Sequence, residues 1–309
     1  MKKQFLFALS LGLCVGSLWA QQPRSASEPQ KLLQTSVGLM APVWSPTGDK
    51  IAVTTDNYTG ILVINADGSG LQSVTSAPGA GYKMTWSADG NRILGRTNIV
   101  DNYRTYHEVK VWSVVDGSSV TLVGKTRELK GMPTWKSVER ISIAGSRGYQ
   151  NVNTLNATIS APRSTNVYDI MVNDPVGAVA QIPALSNFAG KIIINPALSP
   201  NGEKVAFQVP GYGIYVCNID GNNLESVAMG VHPSWLPDSE NLIFTRVSDD
   251  GQVYTASDLY SINLSTKKEY LLTGNTSMIP MRPSVSPNGQ QVVFENAADA
   301  SIYVINLKY

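Results

Sequence analysis

One short segment recurs six times along the chain, and this recurrence limits the fold more than any other feature. Each copy contains an apolar strand, a turn usually built from Ser, Pro and Gly, and a second apolar strand. The copies share one aromatic or aliphatic marker position, which we expect in the core: Trp44, Trp86, Trp135, Leu198, Trp235 and Val285. A third apolar segment, a polar turn such as Asp67-Gly68 and a short fourth segment follow. Four antiparallel strands in every repeat of roughly 40 to 50 residues predict a β-propeller.

The two ends of the chain predict how the propeller closes. The sixth repeat stops after a third strand at Ile302 to Leu307, so it lacks a fourth strand of its own. Lys31 to Thr35 precedes the first repeat and is similar to fourth strands such as Leu71 to Thr75. We therefore expect an all-β, six-bladed β-propeller of four-stranded antiparallel blades. Its ring is closed by an N-terminal strand that completes the last blade and covers an open sheet edge.

The third repeat is the irregular one. Its first turn, after Trp135, lacks both Pro and Gly. We place its third strand at Val167 to Val172, which leaves residues 146–166 as a long polar loop between the second and third strands. Because long loops inside compact domains are commonly functional or disordered, we interpret this loop as a flap over one face.

The repeat resembles that of the TolB-like propeller family. The resemblance rests on Trp-Ser-Pro-Thr-Gly at 44–48, Ile-Ala-Val at 51–53, and Asp-Gly at 67–68 after an Ile-Leu-Val-Ile strand. It covers Lys31 to Tyr309 and concerns the propeller repeats only, without the N-terminal α/β domain of TolB. The resemblance implies the fold and leaves the function open, because the family includes periplasmic scaffolds, sugar-acid lyases and side domains of peptidases.

Residues 1–20 have the features of a secretory signal peptide. Lys2 and Lys3 precede an apolar core from Phe5 to Val15, and Ala20 is a small residue before the expected cleavage site. The apolar core is too short to span a bilayer. We therefore predict an exported protein that does not span a membrane, with 21–29 as a flexible leader and 30–309 as the propeller. The expected location is the periplasm, with the extracellular space and the cell surface as alternatives.

Composition argues against several classes of function. Removing Lys2 and Lys3 from the 24 basic residues leaves 22 against 23 acidic residues, whereas nucleic-acid-binding proteins usually have a strong basic excess. The two histidines, His107 and His232, lie in different repeats, which are too few for a histidine-rich metal site. No Gly-x-Ser-x-Gly nucleophile motif occurs. The sequence therefore predicts no catalytic residues, no metal, no cofactor and no nucleic-acid partner.

The loops are expected to sort onto two faces of the propeller. Short, regular turns join first to second and third to fourth strands, whereas second-to-third loops and connections between blades vary. Variable loops on a rigid scaffold commonly bind partners, and tyrosine and arginine are enriched at interface anchors. The partner-binding candidates on this variable face are Tyr82, Tyr103, Arg104, Tyr106 and Tyr212.

Further candidates surround the mouth of the predicted channel. In five repeats a proline stands two positions before the marker residue, and the position before that proline is expected at the mouth. We call these six positions the crown: Ala41, Lys83, Met132, Asn195, His232 and Arg282. Lys83 and Arg282 are cations, His232 is a third cation if protonated, and the crown contains no acid. Such a ring favours an anionic group, unless loop acids such as Asp101 and Asp249 pair with its charges.

These features favour a non-enzymatic binding or scaffold module of the bacterial cell envelope. It would engage a protein or peptide, with an anionic group, through the loop-rich face and the crown residues Lys83, Asn195, His232 and Arg282. A carbohydrate-binding propeller with tyrosines stacked on sugar rings is one alternative, and acidic glycans are its expected ligands. Another is a lyase or hydrolase acting on an anionic glycan, which requires a buried acid or a bound metal near His232.

Overall fold

The computed structural model describes residues 21–129, 131–137, 139–145, 148–153, 193–274 and 277–309. The predicted signal peptide, residues 1–20, and the strand expected at Val167 to Val172 lie outside the described residues. The described chain is β-structure with a single turn of 3-10 helix at Asp56–Tyr58. No stretch of the described residues forms a helix with the length and hydropathy that a bilayer crossing requires.

The strands form antiparallel sheets that follow the repeats, and each sheet is numbered after its repeat. Two strands precede the first repeat: β1 (Ser25–Ala26) and β2 (Gln30–Leu33). Blade 1 has four strands: β3 (Leu39–Trp44), β4 (Lys50–Thr55), β5 (Ile61–Asn65) and β6 (Gln72–Thr75). Blade 2 also has four: β7 (Thr85–Trp86), β8 (Arg92–Asp101), β9 (Arg104–Ser113) and β10 (Ser119–Thr126). Sheet 3 has three within the described residues: β11 (Thr134–Ser137), β12 (Arg140–Gly145) and β13 (Gly148–Asn153).

The second half of the chain repeats the same arrangement. Blade 4 has four strands: β14 (Ile194–Leu198), β15 (Lys204–Val209), β16 (Gly213–Asn218) and β17 (Glu225–Ala228). Blade 5 has four strands: β18 (Val231–Trp235), β19 (Asn241–Asp249), β20 (Tyr254–Asn263) and β21 (Glu269–Leu271). Blade 6 takes three strands from its own repeat: β22 (Pro280–Val285), β23 (Gln291–Asn296) and β24 (Ser301–Lys308).

The propeller of four-stranded antiparallel blades is confirmed as an architecture, but the described residues complete five blades rather than the six predicted. The difference lies in repeat 3. Strand β13 pairs with β12 from Arg140↔Asn153 to Gly145↔Gly148, so residues 148–153 are a strand and not part of the long loop predicted for 146–166. The signal for this hairpin was the pair of glycines at its end, because glycine allows the sharp backbone reversal that a short hairpin needs.

The N-terminal strand completes blade 6, as predicted. Strand β2 pairs antiparallel with β24, with Gln30 opposite Val304 and Lys31 opposite Tyr303. The prediction of a flexible leader at 21–29 is wrong, because β1 pairs with the far end of the same strand, with Ser25 opposite Lys308. The physical reason is length: β24 has eight residues and β2 has four, so β24 offers an unpaired edge that β1 occupies.

The core lies between neighbouring sheets, and the marker tryptophans belong to it as expected. Trp44, Trp86 and Trp235 are less than one-tenth exposed. Three indole Nε1 groups donate to a first-strand carbonyl of the preceding sheet: Trp86 to Val43, Trp135 to Thr85 and Trp235 to Ala197, at 3.1, 3.2 and 2.9 Å. Each of these three tryptophans therefore fixes the position of one sheet relative to the next through both apolar packing and a hydrogen bond.

Candidate functional site

The crown positions share an unusual backbone conformation. Five crown residues have a left-handed φ between 49° and 53°: Ala41, Lys83, Asn195, His232 and Arg282. In four of the blades the ladder shifts register at this point, as between Met281 and Ser284 in blade 6. A β-bulge of this kind bends a strand and re-aims a side chain, and a left-handed φ costs free energy in a residue other than glycine. Met132, the sixth crown residue, is buried and lacks the left-handed φ.

A second set of side chains adjoins the crown and was not predicted from the sequence. In four blades the residue before the crown position pairs with a residue near the end of the second strand, as Met281 does with Glu295, and Arg96 occupies the same repeat position in blade 2. We call these second-strand positions the inner ring: Thr54, Arg96, Gln208, Thr245 and Glu295. The signal that could have found them is the alignment of the second strands, in which all five occupy one repeat position.

Arg282 does not offer the free positive charge that the sequence suggested. Its guanidinium forms an ion pair with the Glu295 carboxylate, whose residue is only 5% exposed. The second oxygen of this carboxylate, Oε2, accepts a hydrogen bond from the backbone N–H of Ala41 at 2.6 Å. Burial raises the pKa of Glu295, while the neighbouring Arg282 opposes that rise. The absence of an acid within the crown was therefore misleading, because the compensating acid comes from the inner ring.

His232 and Asn195 share one acceptor. Gln208 Oε1 accepts a hydrogen bond from Asn195 Nδ2 at 2.9 Å and from the backbone N–H of His232 at 3.4 Å. The Nδ1 atom of His232 is buried and has no hydrogen-bond partner among the described residues. Burial, with a smaller contribution from the Arg282 charge, lowers the pKa of His232 to about 3. His232 is therefore neutral at physiological pH and adds no cation to the crown.

The uncompensated positive charge lies in blade 2. The Lys83 ammonium is 5.6 Å and the Arg96 guanidinium 5.9 Å from the centre of the Tyr82 ring. Burial lowers the pKa of Lys83, and the positive charge of Arg96 lowers it further. No carboxylate among the described residues forms an ion pair with either cation. Two like charges held together without an acid are poised to receive an anionic group.

Tyr58 connects the two cationic regions. Its ring lies 5.0 Å from that of Tyr82 at an interplanar angle of 80°, an edge-to-face arrangement. Its hydroxyl oxygen accepts a hydrogen bond of 3.4 Å from Arg282 Nη2. Both Asn57 and Tyr58 have a left-handed φ, so the turn after β4 is held in a costly conformation that directs Tyr58 to the crown. The site therefore runs from Arg282 through Tyr58 and Tyr82 to Lys83 and Arg96.

The other predicted residues do not join this cluster. Tyr103 is fully exposed and Arg104 is exposed, both at the end of the β8–β9 hairpin. Tyr106 lies on the same hairpin, with the Lys125 ammonium 4.3 Å from its ring centre. Lys125 also pairs with the loop acid Asp101, so that acid does not compensate the crown. Tyr212 is 45% exposed and lies in the turn between β15 and β16. Among the described residues, no three His, Cys, Asp or Glu side chains are grouped closely enough to hold a metal ion.

The fold is similar to solved propeller structures. The similarity to a putative TolB from Agrobacterium tumefaciens has a TM-score of 0.52 at 14% identity, over 94% of this chain and 100% of that chain. A Bacteroides thetaiotaomicron protein of unknown function gives 0.56 at 9% identity, over 92% and 73%. An oligogalacturonate lyase from Vibrio parahaemolyticus gives 0.48 at 11% identity, over 93% and 97%, a score too low to support an argument. No family model and no curated protein matches the sequence. The TolB-like propeller fold is thus confirmed, and identities this low show the fold alone.

Proposed function

We propose that this chain is a non-enzymatic binding module of the bacterial cell envelope, which engages an anionic group of a protein or peptide at the channel mouth. The observation that carries the proposal is the pair Lys83 and Arg96, which share Tyr82 and have no ion-pair partner among the described residues. A partner's carboxylate would relieve the repulsion between the two cations. The surrounding left-handed positions hold the pair in place before the partner arrives, which reduces the ordering cost of binding.

The same proposal includes the finer features of architecture and location. The ring has six blades, with sheet 3 as the blade that the described residues leave at three strands. The protein is exported through the signal peptide at 1–20 and works in the periplasm. An exported binding module of this kind presents the crown to envelope proteins, and its nearly balanced overall charge leaves the local cations to direct the contact.

A protein or peptide partner fits the tyrosines better than a sugar does. Sugar rings stack on flat aromatic surfaces, whereas the rings of Tyr58 and Tyr82 pack edge to face against each other at an interplanar angle of 80°. Glycan catalysis would use a buried acid, and Glu295 is such an acid. Both of its oxygens, however, are engaged by Arg282 and by the backbone of Ala41. These contacts favour a structural role for Glu295.

The experiment is a crosslinking capture from envelope extract with three forms of the mature protein: wild type, a crown variant and a control. The crown variant carries Lys83→Gln and Arg96→Gln, and the control carries Lys50→Gln and Lys204→Gln. The control lysines form ion pairs with Asp49 and Glu240. Each is the first residue of its strand, at the end away from the crown. We expect one envelope protein that is captured by wild type and control and is missing from the crown variant. Equal capture by all three forms would place the interface elsewhere, and capture by none would refute a protein partner.

A titration with a glycan distinguishes the proposed protein-binding module from a propeller that binds or cleaves carbohydrate. Purified wild-type protein is titrated with an oligogalacturonate, which supplies several carboxylates on sugar rings, and heat is measured by calorimetry. The proposal predicts no saturable binding and no change in the length of the glycan after incubation. Saturable binding that the crown variant abolishes would assign the site to acidic glycans, and shortening of the glycan would assign it to catalysis.

A further inference from the structure

Among the described residues, two hairpins extend farther than the others on the variable face. Strands β8 and β9 have ten residues each, and β19 and β20 have nine and ten, whereas β4, β15 and β23 have six. Pairing continues to both ends, with Asp101 opposite Arg104 and Asp249 opposite Tyr254. Three to four additional residues at about 3.3 Å each raise these hairpins roughly 10 to 13 Å beyond the shorter blades. They extend at the crown end, because the second strands finish there.

The two hairpin ends have matched apolar groups and opposite charges. The end of the blade 2 hairpin, which we call the basic tip, exposes Val100 at 75%, Tyr103 fully, and Arg104. Arg104 has no ion-pair partner among the described residues. The end of the blade 5 hairpin, which we call the acidic tip, is defined by these residues: Asp249, Asp250, Val253 and Tyr254. Val253 is 62% and Tyr254 44% exposed, so each tip carries one exposed valine and one exposed tyrosine.

The acids of the acidic tip also lack a cation. Asp249 accepts the backbone N–H of Gly251, and Asp250 accepts those of Gln252 and Val253. These bonds shape the turn, and they lower the pKa of Asp250, so its charge persists at neutral and mildly acidic pH. Neither acid has an ion pair among the described residues. The charge of each tip is therefore available to a molecule outside the blade.

Tyr103 lies in the two-residue turn between Asp101 and Arg104, at a position that such hairpins usually give to glycine. The tripeptide Asp-Asn-Tyr occurs at the turn after the second strand in two neighbouring blades, at 56–58 and at 101–103. In both, the Asn and Tyr have a left-handed φ, which disfavours a tyrosine. For Tyr58, the interactions with Tyr82 and Arg282 offset the free energy that this backbone conformation costs, whereas Tyr103 is fully exposed. A large aromatic side chain held in this way points to an interaction that another molecule supplies.

We propose that two copies of this chain associate face to face, with the basic tip of each on the acidic tip of the other. Arg104 then meets Asp249 and Asp250, and Val100 and Tyr103 meet Val253 and Tyr254. A two-fold axis parallel to the face can place the basic tip of each copy on the acidic tip of the other, whatever the angle between blades 2 and 5. Both interfaces therefore form in one closed dimer. The hairpins hold the two molecules apart, and the two channel mouths face each other across the gap between the hairpins.

The dimer is expected to be reversible and sensitive to salt. Its interfaces are confined to two tips, less than the area that a permanent interface buries. Its ion pairs are exposed and are screened by added salt. The inference does not depend on the proposed partner, although the dimer would compete with a large partner for the same face.

Sedimentation equilibrium of the mature protein over a range of concentrations tests the dimer. Wild type is expected to show a monomer–dimer equilibrium that weakens with salt. Arg104→Glu is expected to weaken it by roughly tenfold or more, because the two-fold symmetry removes the ion pair twice. Asp249→Lys with Asp250→Lys should do the same. Asp249→Asn with Asp250→Asn keeps the acceptors that shape the turn and should also weaken association. The control Lys268→Glu, in the turn before β21, should associate as wild type does.

Mixing the variants makes the test specific. When Arg104→Glu is mixed with the variant carrying Asp249→Lys and Asp250→Lys, one tip pair is charge-reversed and the other is native. Both are therefore complementary, and two weakly associating proteins should form a heterodimer of near wild-type affinity. Circular dichroism establishes that each variant is folded. A wild type that is monomeric at every concentration would overturn the inference. So would a dimer that ignores Arg104→Glu, or a mixture that does not recover.

Discussion

Lys83 and Arg282 occupy equivalent crown positions, yet their electrostatic surroundings are opposite. Arg282 faces the buried carboxylate of Glu295, whereas Lys83 faces Arg96 and no carboxylate among the described residues. The first pair is part of the fold, because removing one member would leave a buried charge without a partner. The second pair lowers the stability of the free protein and is suited to a ligand. The proposal therefore places binding at Lys83 and Arg96, and support of the fold at Arg282.

This contrast predicts opposite effects of two matched substitutions on stability. Arg282→Met should lower the free energy of unfolding at neutral pH by about 3 kcal/mol, because Glu295 remains buried and unpaired. Lys83→Met should leave it unchanged or raise it by up to about 1 kcal/mol, because a partly buried cation and its repulsion from Arg96 are removed. Denaturant unfolding of the two variants measures both values. Equal decreases would contradict the assignment.

His232 should make stability depend on pH. Its folded-state pKa of about 3 lies below the unfolded value near 6.5, so the unfolded chain binds more protons between these values. The stability that neutral His232 confers is complete above pH 6.5 and declines as the pH falls toward 3, at roughly 1 kcal/mol per unit. His232→Gln should therefore lose less stability than wild type between pH 6.5 and 4 in denaturant unfolding. Parallel curves for the two proteins would show that His232 does not titrate in this way.

At the scale of elements, the N-terminal segment joins blade 5 to blade 6. Beyond β1, Ser261 Oγ of β20 donates to the Pro23 carbonyl at 2.5 Å, and Gln22 Nε2 donates to the Lys268 carbonyl at 2.8 Å. Ser261 is fully buried. The chain therefore spans the seam between the two blades, on the face opposite the crown.

Ser261→Ala tests this seam. The change leaves the Pro23 carbonyl without its buried donor and should lower the free energy of unfolding by about 1 to 2 kcal/mol. It should also speed amide exchange at Arg24 and Ser27, whose backbone N–H groups donate to the carbonyls of Lys308 and Asn306, because this segment would release first. Ser265→Ala, in the exposed turn of the same blade, is the matched control and should change neither quantity. An unchanged exchange rate in Ser261→Ala would contradict the anchoring of β1.

The repeat made most elements predictable from the sequence, and the misses have physical reasons. The recurring proline two positions before the marker residue located the crown by alignment of the repeats. The left-handed φ found there could not be predicted from the proline, because Lys83 has this φ without a following proline and Met132 lacks it. The role of Glu295 was missed because it depends on which side chains lie next to each other across paired strands, and this is a property of the folded sheet. The leader was misjudged because residues 21–27 contain no apolar periodicity, and only the unpaired edge of β24 explains their pairing. Strand β13 was missed because Gly145 and Gly148, which end its hairpin with β12, were interpreted as the start of a long loop.

At the scale of the whole molecule, one face carries both proposed interactions. The crown lies between two projecting hairpins, so a large partner at Lys83 and Arg96 and a second copy on the tips would exclude each other. The nearly equal numbers of acidic and basic residues give little long-range charge, and attraction is left to local clusters. Self-association would then keep the face covered until a partner with higher affinity displaces the second copy.

The most direct test of the central claim is the dissociation constant between this protein and the captured envelope partner, measured by calorimetry for three forms. Removing one cation from a bound carboxylate weakens the affinity by roughly tenfold. The variant with Lys83→Gln and Arg96→Gln should therefore bind about 100-fold more weakly than wild type. The control with Lys50→Gln and Lys204→Gln should bind as wild type does. Equal affinities for all three forms would contradict the account, because Lys83 and Arg96 would then take no part in binding.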